Sequence, residues 1–468
     1  NEDRGGIIYV GANDGMLHGF NEDDGSEAMA FIPNALFSSS AGEGLHYLTD
    51  PSYSHRYYVD LSPTVQDVYI DGAWKTVLVG GLRAGGRGIF ALDITDPSSF
   101  ADANAGDIVM WEFDSSDDAD LGYTFSQPTI TLLENGKWAA IFGNGYNSTG
   151  DGQASLFILY LEDGMDGEWS NGDYIEIKTG VGTLADKNGL SSSAVVDADG
   201  DGRADRVYAG DLEGNLWAFD ISGSNPSQWG VAYKQGNTPK PLFIAANSGG
   251  TAQAITTKPI VATQTASVSG NPDPSLMVFF GTGQFIVDGD KTTSDTQSFY
   301  GVWDSGTKEL TRSDLTQQTL TASGSVRTTS DNVVAYSNSN HGWFHDLPTS
   351  GERVVVNPKI RGEFVFYNTL IPGTQLCQPD GYGWLMAVKQ VDGTMSDTAL
   401  FDTDGDGDVD GDDAQAAGVQ LTDIPAGSNF LGDMMYTPDD EGNIDARRVD
   451  VGISGDSGRL SWQELFAQ

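Results

Sequence analysis

Residues Val195–Asp220 read VVDADGDGRADRVYAGDLEGNLWAFD. The first half sets aspartates at 197, 199, 201 and 205 around Gly200 and Gly202. The second half is two apolar runs joined by a short polar turn, the pattern of a β-hairpin. This hairpin half recurs along the chain. An aliphatic run ending in glycine, a loop, and a second apolar run closing on aspartate or a small turn return in IIYVGANDGMLHGFNEDDG from Ile7, TVLVGGLRAGGRGIFALDITDP from Thr76 and AAIFGNGYNSTGDGQASLFILYLEDG from Ala139. Looser copies are MVFFGTGQFIVDGDKTTSDTQSFYGVWDSG from Met277 and EFVFYNTLIPGTQLCQPDGYGWLMAVKQVDG from Glu363.

Each later copy follows a short segment with Ser or Thr and often Pro: SPTVQDVYIDG, SQPTITLLENG, SSSAVVDADG, TTKPIVATQT and NPKIRG. These read as one more strand before each pair, and DIVMWEFD from Asp107 and DYIEIKTG from Asp173 add a strand after it. A unit of three or four antiparallel strands, repeated roughly every 60 to 90 residues, is a propeller blade. A string of separate sandwiches would need linkers, and no Pro/Ser-rich stretch longer than a loop occurs. The expected fold is all-β: a modified β-propeller of six or seven blades, seven favoured, over residues 1–468 as a single domain. One blade carries the acidic loop in a hairpin, with loop and short-helix insertions elsewhere. The closing segment RRVDVGISGDSGRLSWQELF is a candidate to complete the first blade. The opening NEDRGG, without an initiator Met, reads as part of something longer.

Composition narrows the partners. With 24 Lys and Arg against 67 Asp and Glu, the net charge is −43, so a nucleic-acid backbone or an anionic membrane surface is repelled and cations are attracted. No apolar run is long enough to span a bilayer, so no membrane insertion is expected. A single cysteine, Cys377, forbids a disulfide within the chain.

The acidic half of the opening stretch fits a calcium loop. Hard oxygen ligands at positions 1, 3, 5 and 9 with a backbone carbonyl at 7 wrap one ion, and Asp197, Asp199, Asp201 and Asp205 take those positions with Arg203 offering its carbonyl. Gly202 permits the turn, and Tyr208 stands where an EF-hand has its last acid. A second candidate is FDTDGDGDVDGDDAQAAGV, in an insertion at about 397–445. There Asp402, Asp404, Asp406 and Asp410 are the carboxylates, Asp408 gives the carbonyl, Asp413 sits at position 12, and DAQAAGV is read as the start of a short helix. The bland alternative for both is a solvated acidic turn. Four carboxylates in one turn repel unless a cation lies among them. NEDDG from Asn21 and DSSDDAD from Asp114 lack the spacing and read as ordinary turns.

Enzyme signatures are scarce. His18, His46, His55, His341 and His345 show no zinc spacing, and neither a phosphate loop nor a nucleophile elbow occurs. The pattern strand, Gly, x, x, Asp, Gly, strand in VGANDGMLHGF is shared with quinoprotein propellers, so a PQQ-type dehydrogenase is the enzyme alternative. A carbohydrate-binding or scaffold propeller is the third reading. Trp217, Trp303 and Trp384, at matching places in three copies, read as core or blade-edge residues rather than a cofactor box.

Several stretches together resemble the C-terminal domain of the PilY family of type IV pilus biogenesis factors and tip adhesins. They are GANDGMLHGF, GKWAAIFGNGYNS, DADGDGRADRVYAGDLEGNLWAFD, FHDLPTSGERVVVNP and TLIPGTQLC…GYGWLMAV, in the family's order. The resemblance implies a non-enzymatic modified propeller whose EF-hand-like loop binds calcium and regulates pilus extension and retraction. That role falls here on Asp197, Asp199, Asp201, Arg203 and Asp205. It further implies export to the periplasm and then the cell surface or pilus tip, with pilins or minor pilins and host or surface receptors as partners. No Arg-Gly-Asp triplet occurs, the nearest being Arg361-Gly362-Glu363.

Overall fold

The computed structural model describes residues 5–40, 42–266, 273–337, 339–373 and 381–452. Cys377 and residues 453–468 of the closing segment lie outside them. The described residues form seven sheets of three or more strands and one two-stranded ribbon, the higher of the two expected blade counts. Nearly all pairings are antiparallel, as a meander with short turns requires. The chain divides into two compact units, residues 1–209 with 218–239, and residues 210–217 with 240–468.

In the first unit, β1 (Ile7–Gly11), β2 (Leu17–Asn21) and β3 (Glu27–Phe31) form a three-stranded sheet. Two four-stranded meanders follow: β4 (Leu61–Ile70), β5 (Ala73–Gly81), β6 (Gly88–Asp93) and β7 (Val109–Asp114), then β8 (Thr129–Leu132), β9 (Trp138–Gly143), β10 (Gln153–Tyr160) and β11 (Tyr174–Gly182). The inner strands β5, β6, β9 and β10 are buried on both faces over most of their length, and the period of two deals alternate residues to different cores. Val77, Val79, Ile89, Ala91, Trp111 and Phe113 pack with Ala140, Phe142, Phe157 and Leu159 in one core. Leu78, Phe90 and Leu92, one residue out of phase, pack with Leu17, Leu36 and Val59 in another. Next come β12 (Ala194–Val196) and β13 (Arg206–Gly210), paired Val195 to Val207, and β14 (Asn215–Asp220), whose Phe219 pairs with Val231.

The glycine that ends the repeated strand is there for closeness, not for an unusual backbone angle. A Cβ on Gly11 would strike the carbonyl oxygen of Val59, and one on Gly143 those of Leu190 and Ser191. Each carbonyl belongs to the segment leading into the next sheet, so hydrogen is the only side chain that lets the backbones approach.

The second unit repeats the plan. Leu276–Gly281, Ser298–Asp304 and Gly342–Asp346 pair in order, as do Lys359–Arg361, Phe364–Ile371, Tyr382–Lys389 and Gly418–Leu421. Phe279, Phe299, Trp303 and Trp343 share a core with Val365, Tyr367, Trp384 and Met386. Within that unit Arg327 and Glu352 form an ion pair closed from solvent, side chains 1% and 0% exposed, with two nitrogen–oxygen contacts of 2.6 and 2.8 Å. The Arg327 guanidinium also lies over Trp384, 4.0 Å from the ring centre. The expected helix at DAQAAGV does not form: Ala416 and Ala417 are buried and lead directly into the strand Gly418–Leu421, because burial of two small residues against the sheet outweighs a weak local helix preference.

Candidate metal-binding loops

The first acidic loop bridges β12 and β13. Its aspartates fold inward on main-chain N–H donors. Asp197 accepts from Gly200 at 2.7 Å through one oxygen and from Gly202 at 2.8 Å through the other. Asp199 accepts from Asp201 at 3.1 Å, and Asp201 from Arg203 at 2.9 Å. Asp205, buried at the foot of β13, reaches back to Ala198 at 2.7 Å and Asp199 at 3.3 Å. Gly200 and Gly202 have φ of +84° and +90°, a region most side chains avoid.

The second loop, between Tyr382–Lys389 and Gly418–Leu421, repeats this scheme residue for residue through position 7. Asp402 accepts from Gly405 at 2.6 Å and Gly407 at 3.0 Å, Asp404 from Asp406 at 3.1 Å, and Asp406 from Asp408 at 2.9 Å. The loops then part. The carboxylate that folds back onto positions 2 and 3 here is Asp413, accepting from Thr403 at 2.6 Å and Asp404 at 3.4 Å. Asp205 closes the first loop at its ninth residue; Asp413 closes the second at its twelfth.

The outcome is two groups of three carboxylates. Oxygens of Asp197, Asp199 and Asp205 lie within 4.8 Å of one another, as do those of Asp402, Asp404 and Asp413. Among the described residues, the structure does not bring Asp201, Asp406, Asp408 or Asp410 into these groups. Asp408 instead meets Arg448 at 2.6 Å, while Arg447 donates to the Asp402 carbonyl at 2.9 Å. The first loop is held from its other side. Ala204 N–H donates to the Leu132 carbonyl at 2.9 Å, and the Arg203 guanidinium to the Glu134 carbonyl at 3.2 Å.

The carboxylates respond unevenly to this crowding, and Asp413, though opposed by burial, is held below its usual range by the N–H donors of Thr403, Asp410 and Asp404. Burial, then the neighbouring Asp199 and Asp197, hold the Asp205 carboxyl above its usual range despite its two N–H donors. Glu134 is raised by desolvation and then by Asp201, Asp205 and Asp199, against the opposing Arg203. Asp404 is lowered by its bond from Asp406, but burial and the fields of Asp406, Asp413 and Asp402 outweigh this and leave it raised. The donor set is all hard oxygen, which suits calcium and excludes a soft-metal centre.

Other candidates resolve as structure. Trp217, Trp303 and Trp384 are buried, the first donating to Asp211 at 2.8 Å. His345 is enclosed between the Tyr367 hydroxyl at 3.0 Å and the Gly393 carbonyl at 2.8 Å. Asp24 caps its own turn through Ser26, and Asp120, in the other weak acidic run, pairs with Lys178 at 2.5 Å. No helix among the described residues is long and apolar enough to cross a membrane.

The PilY1 β-propeller domain model matches residues 1–332. A type IV pilus biogenesis factor PilY1 homolog of Xylella fastidiosa is 41% identical over 399 residues, covering 82% of this chain and 26% of that protein. The type IV pilus biogenesis factor PilY1 of Pseudomonas aeruginosa PAO1 is 37% identical over 447 residues, covering 86% and 36%. The chain thus spans between about a quarter and just over a third of the length of these relatives. The solved C-terminal domain of Pseudomonas aeruginosa PilY1 shares its fold at a TM-score of 0.74 and 32% identity, over 96% of this chain and 93% of that one. The seven sheets are therefore the blades of a β-propeller of that type.

Proposed function

The chain belongs to the PilY1 β-propeller family, and on that premise we propose that it is the calcium-responsive part of a type IV pilus biogenesis factor, acting on pilus extension and retraction. The observation that carries the calcium reading is the duplicated loop. Two segments of different length and neighbourhood fold the same main-chain pattern and each gather three carboxylates within 4.8 Å. Asp197, Asp199 and Asp205 would hold one ion, with Asp201 and the Arg203 carbonyl able to complete its shell directly or through water. Asp402, Asp404 and Asp413 would hold another, with Asp406, Asp410 and the Asp408 carbonyl as the outer set. A bound cation supplies charge that offsets carboxylate repulsion.

The residues around the first loop set what such binding does. Asp205 anchors β13 to positions 2 and 3, so order in the loop is order at the start of that hairpin. In this reading the ordered loop presents a surface that opposes retraction, and the loosened loop permits it. The protein acts without catalysis, in the periplasm during assembly and then at the cell surface or pilus tip. It meets pilins or minor pilins and, at the tip, host or surface receptors.

Titration calorimetry on the wild type, Asp205→Asn and Asp413→Asn tests this. The wild type is expected to bind two calcium ions and each variant one. Unchanged stoichiometry in either variant refutes that site. Piliation and twitching of a strain carrying Asp205→Asn test the regulatory role.

A further inference from the structure

The first acidic loop is not free-standing. Its residues 203 and 204 are fastened to the turn between β8 and β9 in two ways. Leu133 and Ala204 form a parallel bridge that includes the Ala204 N–H bond to the Leu132 carbonyl at 2.9 Å, and the Arg203 guanidinium donates to the Glu134 carbonyl at 3.2 Å. The turn itself closes through Leu133 N–H to the Lys137 carbonyl and Gly136 N–H to the Leu133 carbonyl, both 2.9 Å. On its far side Asn135 donates to the Tyr160 hydroxyl at 3.0 Å and Lys137 pairs with Asp163, at the end of β10. A continuous set of bonds therefore runs from the acidic loop through the β8–β9 turn to the end of β10.

We propose that the first acidic loop and the β8–β9 turn open and close as one cooperative element, so that a cation held by the loop orders the turn of the preceding sheet. The proposal rests on the reading of this loop as a calcium site and adds the part of the fold that responds. Arg203 is its positioning residue: its carbonyl faces the role of ligand while its side chain grips Glu134. Elements that open together share one opening free energy. A ligand that binds only the closed form suppresses that shared opening by the factor 1 + [L]/Kd.

Amide hydrogen exchange on the whole chain, with excess chelator and with calcium at about one hundred times the Kd measured by calorimetry, tests the coupling. The expected result is exchange roughly 100-fold slower at Gly200 and Gly202 and similarly slower at Leu133 and Gly136. Gly15, in the β1–β2 turn, should not respond. If the loop amides slow and Leu133 and Gly136 do not, the coupling is wrong while the calcium site stands. If calorimetry detects no ion lost on Asp205→Asn, the site reading fails and the coupling with it. Arg203→Met keeps the carbonyl but removes both the bond to Glu134 and the side-chain ion pair with Asp201 at 3.7 Å, so its exchange is read at about one hundred times its own Kd, where the turn should respond less than the loop. A full response in the turn would overturn the role of Arg203.

Discussion

Replacing Asp205 by Asn should reverse its effect on stability when calcium is added. The Asp205 carboxylate lies within 4.8 Å of those of Asp197 and Asp199. At that separation each pair repels by about 1 kcal/mol in a water-like dielectric, so removing the charge relieves about 2 kcal/mol in the absence of cation. Against this, the amide accepts the Ala198 and Asp199 N–H bonds less strongly than the carboxylate, a loss of about 1 kcal/mol. The variant should thus equal or slightly exceed the wild type in chelator. With calcium at 100 times Kd the wild type gains about 2.7 kcal/mol that the variant forgoes, and the order inverts. Urea unfolding of both proteins in each condition reads the difference. A variant weaker by the same amount with and without calcium would show that Asp205 serves only as a main-chain acceptor, and the repulsion argument would fail.

Glu352→Ala should cost about 3–5 kcal/mol, because it strands a buried guanidinium, whereas Arg327→Met with Glu352→Leu should recover most of that loss in urea unfolding. His345, enclosed and pushed down to about 4 first by burial, stays neutral in the fold while the unfolded chain takes up its proton near its ordinary value. Its contribution is therefore intact above about pH 6.5 and falls by about 3 kcal/mol as the pH drops to 4. His345→Gln should flatten that part of the stability–pH curve, and an unchanged slope would refute the assignment. Gly143→Ala should destabilise by about 3 kcal/mol through collision with two carbonyls, while Gly106→Ala, with nothing within 4 Å of the added carbon, should be neutral by thermal melting.

The strands were legible because their faces alternate between two cores and their ends carry glycine where a neighbouring backbone comes close. Val77 and Leu78 differ by one position and enter different cores, which is the strand period made visible. The three-carboxylate groups were only half legible. A twelve-position template assigns the ninth acid as a ligand in both loops, but the distance to the following strand decides which acid folds back. Arg206 begins β13 directly after Asp205, so the ninth residue must close the first loop. The strand after the second loop starts only at Gly418, and the slack lets Asp413 close instead. The Arg327–Glu352 pair was not legible, since 25 positions separate two charges in a chain full of acids. Nor was the fastening of residues 203 and 204 to Leu132 and Glu134, which depends on two sheets meeting.

The exposure of the first loop bears on how quickly it could respond. Asp197 and Asp199 stand in solvent and only Asp205 is buried, so an ion held there would enter and leave by the open side without any strand parting. Occupancy would then follow the calcium around the protein from moment to moment, rather than record the conditions under which the chain first folded. A cation locked behind the sheet would be a staple. One held at this rim would be a gauge.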